Sequence, residues 1–162
     1  MRIQLGLAAL AAVMATPVAA ADFTVIRQEI AVNRPAAAVW AKVGADYCGL
    51  GQWLSVPCVY ASGDGDVGTV RRIADRISEV MVAKSAMSYT YADLDPKLLY
   101  HGSLAVEPVG ATHARLVYTL VYDQQPVGNP EAQAADRARR AATFKRALEA
   151  MKQMVEAEPS SR

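Results

Sequence analysis

The stretch from residue 130 to residue 158 limits the possible folds most. Asn129-Pro130 stops whatever precedes it, and neither Pro nor Gly recurs until Pro159. The residues between are mostly strong helix formers, which predicts a helix of about seven turns. Ala141, Phe144, Leu148, Met151 and Val155 follow one another by three and four, with Ala147 and Met154 beside them. That spacing makes one apolar stripe, while Arg139, Arg146, Glu149, Gln153 and Glu156 cover the opposite side. A lone amphipathic helix must bury its stripe, and nearly everything upstream reads as strand. The simplest assembly lays the helix across a curved antiparallel sheet.

Upstream, residues 23–32 alternate, with Ile26, Ile30 and Val32 on one face and Arg27 and Glu29 on the other. That alternation is a half-buried strand. Asn33-Arg34-Pro35 then introduces a short helix over 36–43, closed by Gly44, with a weaker second helix over 46–53. From Ser55 the period changes to two. Strands are expected at 56–61, 67–73, 77–84, 87–92, 98–106 and 113–122, joined by short turns such as Ser62-Gly63-Asp64-Gly65-Asp66 and Asp95-Pro96. Short connections between successive strands imply an antiparallel meander.

The first 21 residues read as a leader rather than as fold. Arg2 gives a positive start, residues 3–14 are apolar, and Ala19 and Ala21 fit the small-x-small pattern of a secretory signal peptide. An apolar run of roughly twelve residues is too short for a bilayer-spanning helix, which needs about twenty. The expectation is therefore an exported protein, periplasmic or secreted. It would have one domain over 22–158, a frayed tail at 159–162 and no membrane span after cleavage. Losing Arg2 leaves acidic and basic side chains in balance, so no global field favours nucleic acid. The two cysteines, Cys48 and Cys58, suit a disulfide in an exported chain, the alternative being two apolar thiols that never meet. They cannot complete a metal shell without further ligands, and nothing in the sequence calls for a cofactor.

One strand, two short helices, six strands and a long helix is the helix-grip order. The chain resembles the START-like (SRPBCC) superfamily, which includes polyketide cyclases/dehydrases and lipid-transfer proteins. The matching residues are Asn33 through Trp40, Trp53, Pro57, Gly68-Thr69-Val70-Arg71, Ile77-Ser78-Glu79, Tyr89-Thr90-Tyr91 and the terminal helix. The resemblance covers essentially the whole mature chain. It implies an α+β domain in which a sheet of about seven strands grips the C-terminal helix around an internal space. It also implies a small hydrophobic or amphipathic molecule as partner, held by a monomer. The alternative is a cyclase/dehydrase-like enzyme, because one fold carries many functions.

Candidate contacts follow from the alternation. Tyr89 and Tyr91 share a face, as do Tyr118 and Tyr122, and Tyr100 aligns with Gly102 and Leu104. Tyrosines around a hollow would supply ring surface and a few hydroxyl donors. Glu79 interrupts an apolar register and needs a cation, with Arg71 and Arg115 as candidates; it reads as a structural ion pair or as a catalytic acid. His101, opposite Tyr100 in register, is the other acid–base candidate. Extending the helix stripe back one turn lands on Arg137, with Arg140 on its flank. Two guanidinium groups on an otherwise apolar arc would open the cavity mouth and meet a ligand's carboxylate or phosphate, with the ligand's apolar body near Phe144. The competing reading has both arginines reaching solvent or pairing with Asp136 or Glu131.

Overall fold

The computed structural model describes residues 21–157. The leader reading, apart from Ala21, and the 159–162 tail lie outside the described residues. Strand β1 (Phe23–Val32) is followed by helices α1 (Ala36–Val43) and α2 (Leu50–Leu54). Six strands succeed them: β2 (Cys58–Ser62), β3 (Val70–Ile73), β4 (Ile77–Ser85), β5 (Ser88–Asp93), β6 (His101–Val109) and β7 (His113–Asp123). Helix α3 (Pro130–Glu156) completes the chain. The strands form one antiparallel sheet in the order β1-β7-β6-β5-β4-β3-β2, so β1 closes beside the last strand and the rest is a meander. This is the helix-grip architecture.

Three expected element starts move by three residues or more, each for a local reason. The second helix begins at Leu50 instead of residue 46, because the Asp46 side chain accepts from the Cys48 amide and the Tyr60 hydroxyl and holds that segment as a turn. The third strand begins at Val70, since Gly68 with φ of 90° prolongs the preceding loop. The strand expected from residue 98 begins at His101. Asp95 caps a short 3-10 turn at Pro96–Leu98, and Leu99 is left-handed at φ 45°. Cys48 and Cys58 are joined as a disulfide, which ties the turn before α2 to the start of β2.

Register shifts in β2 and β4 mark bulges that add to the bend of the sheet. On the concave face Ile26, Leu104, Leu116, Leu120 and Met81 are buried. The convex face carries a charge lattice in which Arg27 and Arg115 each meet Glu29 and Glu107.

Asn129 caps α3 by accepting from the Ala132 amide, with Pro130 at the first helical position. The buried residues of α3 all lie in its second half: Ala147, Leu148, Met151 and Val155. That half is also tied to the β1 exit. Glu156 accepts from the Asn33 amide at 2.8 Å, and Lys152 donates to the Ala31 carbonyl at 2.7 Å. The first half has no fully buried residue.

Candidate functional site

Because the bent sheet does not pack flush along a straight helix, a hollow of about 190 Å³ remains beneath the first half of α3. The sheet contributes Arg71, Ile73, Glu79, Tyr91, Tyr100 and Tyr118 to its wall. Helix α2 adds Leu50 and Leu54; α3 adds Arg139, Arg140, Thr143 and Phe144. An adjoining space of about 310 Å³ shares Glu79, Tyr100, Arg139 and Arg140 with the first and extends to Asp93 and Leu98. Apolar and aromatic groups dominate the inner space, as is usual for small-molecule sites.

Arg71 and Glu79 lie directly opposite each other on β3 and β4. Both are inward and almost wholly buried, at 1% and 5% exposure. Two Arg71 nitrogens converge on Glu79 Oε2, Nε at 2.8 Å and Nη2 at 2.6 Å, while Nη1 donates to the Tyr47 carbonyl. The guanidinium also lies over the rings of Tyr47 and Tyr91, 4.0 and 4.6 Å from their centroids. Burial pushes the Glu79 carboxyl above its ordinary range, and Arg71 opposes that rise. Burial alone would lower the Arg71 value, but Glu79 and the facing tyrosines hold it protonated above its usual range. Removing one partner from such a pair is destabilising by about 3–5 kcal/mol.

The tyrosines form a ladder around this pair. Ring centroids lie 6.4 Å apart between Tyr89 and Tyr91, 6.2 Å between Tyr91 and Tyr100, and 6.2 Å between Tyr100 and Tyr122. The Tyr91 and Tyr118 hydroxyls are hydrogen-bonded at 2.9 Å. Gly102, the β6 partner of Tyr91, makes room for that ring: a Cβ there would fall 2.2 Å from Tyr91 Cζ. Burial pushes the Tyr91, Tyr100 and Tyr118 hydroxyls above their usual range, so they remain protonated at neutral pH. Tyr118 packs on Phe144 with centroids 4.4 Å apart.

At the mouth, Asp136 accepts from Arg139 through Oδ1 and from Arg140 Nε through Oδ2, the latter at 2.7 Å. Burial would raise the Asp136 carboxyl, but the hydrogen bonds from Arg140 and Arg139 bring it below its ordinary value. Arg140 lies 4.5 Å from the Tyr122 centroid and 5.4 Å from that of Tyr100. Two cations thus share one carboxylate, and guanidinium donors remain for an incoming anion. Among the described residues there is no cluster of three or more potential metal ligands.

These features can be set beside known proteins. Residues 24–156 match the family described as polyketide cyclase/dehydrase and lipid transport. The chain belongs to this family. A search of curated proteins finds no match. Among solved structures, the Zhui aromatase/cyclase from a Streptomyces species aligns with TM-score 0.70 at 17% identity, covering 86% of this chain and 99% of its own. Norcoclaurine synthase from Thalictrum flavum, in complex with dopamine and hydroxybenzaldehyde, aligns with TM-score 0.64 at 17% identity, covering 87% and 91%. A Thermobifida fusca protein aligns with TM-score 0.67 at 22% identity, covering 82% and 93%. At these identities the likeness is one of fold.

For this member of the family, five of the expected contacts line the cavity: Tyr91, Tyr100, Tyr118, Arg140 and Phe144. Glu79 lines it too, paired with Arg71, whereas Arg115 lies on the convex face. Tyr89 sits behind the wall instead, packed against Trp40 and Tyr47. His101 is exposed and bonds the Leu99 carbonyl, remote from the hollow because its neighbours Tyr100 and Gly102 take the inward register. Arg137 turns aside to the Gln124 side chain. Arg139, assigned by the helix stripe to the outer side, reaches the mouth instead, since a long guanidinium stem on a flank can bend over the edge. The sequence pattern does not single out Arg71, Ile73, Leu50, Leu54 or Thr143 as wall residues. The alternation Arg71–Ile73 carried the signal for Arg71, because both residues point inward from β3.

Proposed function

We propose that the protein binds a small amphipathic molecule in this hollow, with an apolar or aromatic body and an acidic group. The body would lie against Tyr118, Phe144, Leu50 and Ile73, and the acid would meet Arg139 and Arg140. The observation that carries this reading is an apolar wall ending at two guanidinium groups that share one carboxylate. Size supports it: an apolar cavity of about 150 Å³ accepts a benzene-sized guest, so the inner space suits a single substituted ring. The norcoclaurine synthase complex shows that a neighbour of the same fold takes small aromatic molecules. Calorimetric titration with cinnamate and its primary amide tests the reading. Saturable binding that favours the acid, with the gap reduced in Arg140→Gln, is expected. No saturable binding of either would overturn it.

A cyclase/dehydrase activity is the second reading, favoured by the raised proton affinity of buried Glu79 beside the cavity. It predicts loss of water from a β-hydroxyketone substrate by mass spectrometry, abolished in Glu79→Gln. We further infer that the protein works after export, periplasmic or secreted, on the strength of the leader pattern and the disulfide. A mature N-terminus at residue 22 in the exported fraction is the expected result. Retention of the full-length chain in the cytoplasm would contradict it.

A further inference from the structure

The Glu79 carboxylate is nine-tenths or more buried and lines both parts of the cavity. Among the described residues, Arg71 is the one side chain that donates to it, and both contacts converge on Oε2. An ionised carboxylate offers about four lone-pair directions, so acceptor capacity remains at the cavity floor. That acceptor is open to the hollow rather than sealed, and a ligand donor there would take the place of water. The other polar groups nearby define what that donor can be. Arg71 already balances the Glu79 charge, so an ammonium group would meet the Arg71 guanidinium on the same carboxylate, while Arg139 and Arg140 outnumber their shared Asp136 at the mouth. A neutral hydroxyl meets no such repulsion. The aromatic lining around it, Tyr91, Tyr100, Tyr118 and Phe144, favours a hydroxyl carried on a ring.

We propose that the ligand is a hydroxylated aromatic acid whose ring hydroxyl donates to the Glu79 carboxylate while its acid group meets Arg139 and Arg140. This rests on the binding reading above and specifies the far end of the ligand, which that reading leaves open. Glu79 is then a specificity-determining residue. A site built to hydrogen-bond a hydroxyl discriminates strongly against analogues that lack it, because its own polar group is left unpaired. Methylation of that hydroxyl removes the donor and adds a methyl group against the floor.

The test compares para-hydroxycinnamate, para-methoxycinnamate and cinnamate by calorimetry on the wild-type protein and on Glu79→Gln. Wild type is expected to prefer the hydroxyl compound over its methyl ether by about tenfold or more, the usual weight of a hydrogen bond to a charged group. In Glu79→Gln the amide carbonyl can accept from Arg71 and the amide nitrogen then faces the cavity as a donor, so the preference collapses or inverts. Equal wild-type affinity for hydroxyl and methoxy compounds would overturn the inference. So would a preference that survives intact in a folded Glu79→Gln. If that variant does not fold, the absorbance of para-hydroxycinnamate bound to wild type decides: a red shift relative to water at the same pH supports donation to a carboxylate, and no shift contradicts it. Saturable binding of all three acids without preference sinks this inference alone. No saturable binding of any acid sinks the binding reading as well.

Discussion

The two halves of α3 share one helix and one neighbouring sheet, yet they do different work. From residue 147 onward the inward positions are Ala147, Leu148, Met151 and Val155, all buried against the sheet and α1. From residue 136 to residue 144 the corresponding arc carries Asp136, Arg140 and a half-buried Phe144 over a hollow. Apolar periodicity unbroken by charge seals a helix to a sheet; the same periodicity broken by guanidinium groups leaves space beneath. The second half therefore holds the fold and the first half holds the site.

The comparison breaks first at Met151. Truncating it to Ala leaves a cavity in the sealed half and should destabilise the protein by about 2–5 kcal/mol in denaturant unfolding. Phe144→Ala, from the half-buried end, should cost clearly less; equal losses would erase the distinction. Next comes the wall opposite the open half. Replacing Cys48 and Cys58 with Ala frees the turn before α2, and closure of so short a loop is worth about 2–3 kcal/mol in the chain-entropy model. Because Leu50 and Leu54 lie on α2, ligand binding should weaken together with stability.

Arg140→Gln sharpens the contrast in the other direction. Its partly exposed ion pair should contribute less than about 1 kcal/mol to stability. Its loss should instead be felt as weaker binding of cinnamate, by about tenfold. The smallest effect is one of pH. The folded-state value of Asp136 is depressed, so its contribution is present above the ordinary aspartate range and is lost as pH falls through the folded value. Asp136→Asn should flatten that acid limb of the thermal-stability curve slightly. An unchanged acid limb would mean that the Arg139–Asp136–Arg140 cluster does not hold in solution.

The architecture was legible because it rests on periods. The step from two to 3.6 at residue 130, with short turns between strands, is enough to lay a helix across a meander, and Cys48 and Cys58 lie where a bond can form. The tyrosine face was legible for the same reason, since Tyr91, Tyr100 and Tyr118 follow the alternation inward. What escaped was set by side-chain length and by tertiary contacts. Arg139 bends from the helix flank into the mouth, Arg137 is drawn off by Gln124, and Tyr89 is shielded by Trp40 and Tyr47. No one-dimensional pattern encodes those choices. Leu50 and Leu54 escaped because α2 is too short for a stripe to be visible.

The most direct measurement is amide chemical-shift mapping during titration with cinnamate. Saturating shifts should fall on residues 139–144 of α3, on Leu50 and Leu54, and on Tyr91 and Tyr118, while residues 147–155 stay unmoved. Shifts centred on residues 147–155, on the convex-face charges Arg27 and Glu107, or on no saturating set at all would contradict a ligand site under the open half of the helix.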